Sequence, residues 1–235
     1  MSRTIVIGDV HGCRAELDAL LDRVALASDD QLVFVGDLVA KGPDSRGVLA
    51  IARRAKARIA LGNHEQKLLA ARDAVRDKRP LPKLDPTHER LLVELEEHEW
   101  AELAALPLNI ELPEHGVRVV HAGVVPGIPF EKQDPWLVTH MRSISDKGEP
   151  SAKWGPLWGS KYEGPPHIVF GHNARKEPQL HPHATGLDTA CVYGGELTAL
   201  VLPAGEQLPP AHERRDLMVT ERARQAYSDY GRPLA

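Results

Sequence analysis

Thr4-Ile5-Val6-Ile7-Gly8-Asp9-Val10-His11-Gly12 runs from a short β-branched, apolar stretch straight into a glycine-flanked polar turn. Residues 4–7 read as a buried strand, too short and too rich in Ile and Val for a helix. The same phrase returns twice. Residues 31–35 lead into Gly36-Asp37, and residues 58–61 lead into Gly62-Asn63-His64-Glu65. Between the first two, residues 14–26 place Leu17, Leu20, Leu21 and Val24 at helical spacing; residues 45–57 and 65–75 read as the next two helices. Strand alternating with helix three times over predicts an α/β fold with a parallel sheet and helices packed on it.

Downstream the pattern loosens. Residues 78–86 hold three prolines and read as a loop. Residues 87–105 carry Leu91, Leu92, Leu95, Trp100 and Leu103 and predict one amphipathic helix, capped by Thr87 and stopped by Pro107. Residues 108–112 and 117–120 read as strands joined by a turn, and 168–170, 185–188 and 197–202 as strands of a second sheet. Residues 124–166 show no period and hold Trp136, Trp154 and Trp158, three of the four tryptophans; this predicts an irregular cap or specificity loop. The tail from residue 203 is polar, with a helix expected near 217–227. No repeat or domain boundary interrupts the chain. The expectation is one domain, 1–235, with its core in 1–202.

A chain of 235 residues with 42% hydrophobic and 26% charged residues can bury a sizeable core. The net charge of -4 argues against a binder of duplex nucleic acid or anionic membrane. It leaves room for an anionic substrate, because bound cations can set the local field. Cys13 and Cys191 do not make a disulfide framework, and no leader peptide or run of 18 apolar residues is visible. A cytoplasmic location is expected.

Five polar motifs share one position, the end of an apolar strand: Gly8-Asp9-Val10-His11-Gly12, Gly36-Asp37, Gly62-Asn63-His64-Glu65, His121-Ala122-Gly123 and Gly171-His172-Asn173. In open α/β sheets that edge is where sites form. Each motif alone has a plainer reading. Asp-x-His is most often a turn, Asn63 could cap a helix, and His121 could be a satisfied core histidine. Together they offer oxygen and nitrogen donors without thiolate, a set that suits Mn, Fe, Co, Ni or Zn. Asp37 can bridge two ions, and ions about 3.5–4 Å apart can clamp a phosphate and activate water.

These residues resemble the metallophosphoesterase superfamily, within its phosphoprotein-phosphatase branch. The matching stretches are GDVHG (8–12), GDLVAKGPDS (36–45), GNHE (62–65), HAG (121–123) and GHN (171–173). The resemblance implies a calcineurin-like fold, two β-sheets flanked by helices. It implies one divalent ion on Asp9, His11 and Asp37, and a second on Asp37, Asn63, His121 and His172, with manganese first among the metals. It makes His64 the general acid, and it puts Asp37, Lys41, Asn63 and His64 around the substrate; Arg142, apart from the resemblance, is a candidate polyphosphate contact, or else a surface cation.

The stretch after Asp37 departs from the protein-phosphatase pattern GDxVDRG. Ala40 replaces the aspartate that would orient the catalytic histidine, and Lys41 replaces a phosphate-gripping arginine. GDLVAKGP is similar instead to symmetrical diadenosine tetraphosphate hydrolases and ApaH-like phosphatases. Residues 187–198 also match a C-terminal signature of that group, with Ala190 where glycine is usual. The orienter of His64 is left open between Asp44 and Glu65. Trp136, Trp154, Trp158 and Tyr162 are candidates to stack adenine, or else a small core over the sheet. Lys153, Lys161 and Arg175 are candidate polyphosphate contacts, or else surface cations. The expected reaction is symmetrical cleavage of diadenosine tetraphosphate to two ADP. Its rivals are a phosphoprotein (Ser/Thr or Tyr) phosphatase with the same metals, and a metal-containing binding module without turnover.

Overall fold

In the computed structural model, which describes residues 2–231, the chain runs β1 (Thr4–Ile7), α1 (Arg14–Arg23), β2 (Gln31–Phe34), α2 (Ser45–Arg54), β3 (Arg58–Ile59), α3 (Asn63–Arg76), α4 (Pro86–Glu94), α5 (Glu97–Ala104), β4 (Asn109–Leu112) and β5 (Val117–Val120). It continues through α6 (Pro135–His140), β6 (Ser143–Ile144), β7 (Pro150–Ser151), β8 (His167–Phe170), β9 (Gln179–Leu180), β10 (Ala184–Gly186), β11 (Glu196–Leu202) and β12 (Met218–Arg222). One sheet has the order β12-β11-β1-β2-β3 and the other β4-β5-β8-β10-β9. β1, β2 and β3 are parallel, and so are β5, β8 and β10. The remaining members of each sheet join antiparallel. This is the two-sheet calcineurin-like architecture.

The period of two along each strand explains the layers. Ile5 and Ile7 face a core shared with Leu17 and Leu20 of α1 and Val48 of α2. Val6, between them, faces the opposite way, into a second core with Val119 of β5 and Val169 of β8. The second core is therefore the seam between the sheets. A third cluster covers the far face of the second sheet, where Val138 of α6 and Trp158 pack on Val120 and Phe170. Fully burying a side chain of this size contributes about 1.5–3 kcal/mol, so both faces of each sheet are held.

Several expectations need correction. The helix expected over 87–105 is two, because Glu96 begins a new one: its backbone N–H donates to Glu99 Oε2 at 2.9 Å, and Arg46 holds both carboxylates. Thr87 is not the cap of α4. Asp85 is, accepting from the backbone N–H groups of Thr87 and His88. The helix expected near 217–227 is β12, a strand added to the edge of β11. Residues 197–202 do not join the second sheet but pair antiparallel with β1 in the first. The segment 124–166 carries α6, the β6–β7 hairpin and a buried tryptophan. Among the described residues no helix is long and apolar enough to cross a membrane.

Candidate active site

Six parallel strands, three from each sheet, end on one edge, and each end delivers a polar side chain to a shared cavity. β1 leads to Asp9 and His11, β2 to Asp37, and β3 to Asn63 in the first turn of α3. From the second sheet come His121 after β5, His172 after β8 and Asp188 after β10. Asp9, His11, Asp37, Asn63, His172 and Asp188 line the cavity with Lys41, His64, Arg142, Tyr193 and Tyr230, and His121 lies buried behind Asp37. A larger cavity of about 580 Å³ lies between α2 and α5, but none of these residues lines it.

Three histidines share a wiring. His11 Nδ1 lies 3.1 Å from the Val39 carbonyl, His121 Nδ1 3.1 Å from the Val35 carbonyl, and His172 Nε2 3.2 Å from the His140 carbonyl. A carbonyl only accepts, so those nitrogens carry the protons, and in a neutral ring the other nitrogen is a bare lone pair. His11 Nε2 and His121 Nε2 each sit 3.4 Å from Asp37 Oδ2, which has no proton to give. His121 Nε2 and His172 Nδ1 each lie 2.9 Å from Asn63 Oδ1. Lone pairs that converge on a carboxylate repel unless a cation lies between them. Asn63 is thus not the helix cap, a position taken by Gly62.

The electrostatics point the same way. Burial holds His11 down at about 3 and His172 well below its usual range, so both stay neutral. Burial would also lower His121, but Asp37 outweighs it and raises His121 to about 9, a proton filling the cation's place. Burial, then Asp188, push the Asp9 carboxyl well above the carboxylate range. The Lys41 ammonium is the stand-in cation, 2.8 Å from His11 Nε2. The donor set fits divalent metal ions.

The backbone here is strained on purpose. His11, Asp37, Ala40, Lys41, His172 and Ala190 all have positive φ without being glycine, at about 1–2 kcal/mol each. Ala190 occupies a left-handed turn, which is why glycine suits that position. A Cβ on Gly171 would collide with Asp9 Oδ1, so only glycine lets the two sheets bring Asp9 and His172 together. Glu65 clamps the Asp37 loop. Its carboxylate, fully buried, accepts from the N–H groups of Asp37 (2.9 Å), Leu38 (2.7 Å), Val39 (3.1 Å) and Gly62 (3.1 Å). An amide would turn an NH₂ toward backbone donors. Glu65→Gln is therefore expected to cost about 2–4 kcal/mol in urea unfolding, and a cost below about 1 kcal/mol would refute the clamp.

Neither Asp44 nor Glu65 orients His64. Asp44 caps α2 through Gly47 N–H and pairs with Arg14, and Glu65 is spent on the clamp. Instead His64 Nδ1 lies 3.2 Å from His88 Nε2, and His88 Nδ1 lies 2.7 Å from Asp85 Oδ2. Asp37 Oδ1 accepts the His64 backbone N–H at 2.9 Å.

The aromatic candidates divide. Trp158 is fully buried core, donates to the Ala122 carbonyl and packs on Phe170 and on the partly buried Tyr162. Trp136 is exposed and stacks on His140. Trp154 lies beneath Arg142 (4.7 Å) and Arg175 (5.4 Å). Arg142 also donates to the His172 carbonyl at 2.8 Å, which fixes it at the cavity wall. Lys161 is not at the cavity; it pairs with Asp146. Lys153 is an exposed loop residue and does not line the cavity. Asp188, Tyr193 and Tyr230 were not anticipated. Asp188 follows a short strand, the signal the other ligand candidates gave. Tyr230 reaches the cavity from the tail, with no local signal.

Two sheets that aim Asp, Asn and His from six strand ends at one buried, cation-seeking cavity are the frame of a metal-dependent phosphoesterase. The chain belongs to the calcineurin-like phosphoesterase family, whose sequence model matches residues 2–200. Similar proteins include an asymmetrical bis(5'-nucleosyl)-tetraphosphatase of Oceanobacillus iheyensis, 32% identical over 86% of this chain and 89% of that one. A symmetrical bis(5'-nucleosyl)-tetraphosphatase of Chromohalobacter salexigens is also 32% identical, over 90% of this chain and 99% of that one. A crystal structure of a protein provisionally called a diadenosine tetraphosphatase superposes with TM-score 0.80 at 37% identity, covering 94% of each chain.

Proposed function

We propose that this chain hydrolyses dinucleoside polyphosphates, cutting diadenosine tetraphosphate at its central bridge into two ADP. The reading is carried by one juxtaposition: Tyr193 and Tyr230, packed on each other at 4.6 Å between ring centroids, and the guanidinium of Arg142 line the same cavity as Asp37 and His64. Aromatic rings beside a cationic, polar cavity suit a nucleotide, whose base gains about 1–3 kcal/mol by stacking on such a ring. The relatives named above, one symmetrical and one asymmetrical tetraphosphatase, support the substrate class.

Two divalent ions, manganese first among the metals this donor set suits, are assigned to Asp9, His11 and Asp37, and to Asp37, Asn63, His121 and His172. When bound, they supply charge neutralisation and water activation. The protein's own groups do the rest. Arg142 holds phosphate oxygens from one wall. Lys41 lines the same cavity and would pair its ammonium with the phosphoryl oxygens. A water oxygen bonds to an inner phosphorus, giving up a proton to solvent, and the bond from that phosphorus to the central bridging oxygen breaks. The electron pair leaves on the second ADP, and His64 Nε2 gives that oxygen its proton. His64 is reprotonated from solvent.

The bond that breaks is read from the products. Chromatography after turnover with added Mn, Co, Ni, Zn or Mg is expected to show ADP alone. ATP plus AMP would replace the symmetrical reading with the asymmetrical one, which the Oceanobacillus relative's name favours. A strong preference for a phosphopeptide over the dinucleotide would replace both.

A further inference from the structure

We propose that His88 and Asp85 form a positioning relay that fixes the proton and the plane of His64, doing the work of the aspartate that Ala40 replaces. The relay rests on the role proposed for His64 as proton donor.

Two contacts link the three groups. Asp85 Oδ2 meets His88 Nδ1 at 2.7 Å, and His88 Nε2 meets His64 Nδ1 at 3.2 Å. The two imidazole rings lie nearly parallel, with planes 17° and centroids 5.0 Å apart. Each His88 nitrogen has a different partner, so the contacts run as a chain from Asp85 to His64. His88 is fully buried, which keeps water from competing for either nitrogen.

Direction follows from chemistry. An ionised carboxylate only accepts, so His88 Nδ1 carries the proton. Asp85 is ionised: burial opposes its charge, but hydrogen bonds from Thr87 and His88 hold it at about 2. Burial keeps His88 below its usual range, hence neutral. Its Nε2 is then a lone pair, which can only accept from His64 Nδ1–H. That fixes one proton on His64 Nδ1 and makes Nε2 the nitrogen that takes up the mobile proton and, in the imidazolium form, gives it up. The logic is that of a buried carboxylate holding a catalytic imidazole in one tautomer, here extended by one ring.

The relay is also anchored. Asp85 caps α4 through Thr87 N–H and His88 N–H, and Thr87 Oγ1 accepts the Lys41 N–H at 2.8 Å. One helix start therefore sets both His64 and the loop that carries Lys41.

The test separates leaving groups. With the metal-loaded full chain, kcat and KM are measured on 4-nitrophenyl phosphate, whose leaving group needs little protonation, and on phenyl phosphate, whose leaving group needs much. His88→Leu, close in volume and unable to hydrogen-bond, is expected to lose about 30-fold in kcat on phenyl phosphate and less than about threefold on the nitrophenyl ester, with KM unchanged. His88→Gln, which can accept from His64 and donate to Asp85, is expected to regain most of the loss. Equal losses on both esters, or no advantage of Gln over Leu, would overturn the relay. If His88→Leu does not fold, Asp85→Asn is judged by the same ratio. Long-range ¹⁵N spectra of the zinc-loaded wild type need no turnover: a protonated His64 Nδ1 is expected, and a bare Nδ1 overturns the proposal. Wild-type activity on the aryl esters but none on diadenosine tetraphosphate would sink the substrate reading alone.

Discussion

Asp37→Asn is expected to lower kcat on the order of 10³-fold or more and to weaken divalent-metal binding, while leaving the fold intact. The reason is the density of roles on one carboxylate. Asp37 Oδ2 faces the Nε2 atoms of both His11 and His121 at 3.4 Å, and Oδ1 accepts the His64 backbone N–H. An amide removes a negative charge that the ions need. It also offers an N–H to the His11 lone pair, in the place a cation would take. Each tenfold corresponds to about 1.4 kcal/mol, so losing several kcal/mol of metal-supplied charge stabilisation gives a factor of this size. Calorimetric metal titration, kcat at saturating metal and circular dichroism together test it. A variant within tenfold of wild-type kcat at saturating metal would remove Asp37 from the centre of the site.

What the sequence disclosed, and what it hid, follows from how local each signal is. The ends of β1, β2, β5 and β8 were legible because each strand is a short apolar run cut off by glycine and a polar residue. Burial on both faces makes such runs continuous and conspicuous. β11 was assigned to the wrong sheet because its partner, β1, lies at the other end of the chain, and nothing local announces the pairing. β12 is a strand where a helix is expected, because an edge strand with Val219 on one core and Met218 on another blurs the period of two. The break between α4 and α5 came from Glu96 and Glu99, where capping overrides a hydrophobic stripe that continues through Leu95.

The site divides similarly. The six strand-end ligand candidates converge because one repeated local pattern placed them. Asp188 follows β10 in the same way and could have been read with them. His88 could not. It sits one turn into a helix, and its role exists only because α4 packs on α3 and brings its Nε2 to His64. The aromatic loop misled in part for a physical reason: Trp158 is large enough to be a core residue, and its Nε1–H finds the Ala122 carbonyl inside.

His64→Asn is the second large effect. It is expected to cost about 10²–10³-fold in kcat on diadenosine tetraphosphate, with KM nearly unchanged. Asn cannot pass a proton to the leaving oxygen, yet its backbone N–H still reaches Asp37 Oδ1, so the metal-facing geometry should persist. The loss should grow with the basicity of the leaving group: small for a nitrophenyl ester, largest for phenyl or alkyl esters. That gradient separates a proton donor from a residue that merely shapes the pocket, which would cost the same on every ester. Metal titration is the necessary companion, because His64 adjoins Asn63, whose Oδ1 lies 2.9 Å from both His121 and His172. Weakened metal binding would trace the loss to a displaced Asn63. Unchanged metal affinity together with a leaving-group gradient would place the proton on His64, and a flat response across the esters would take it away.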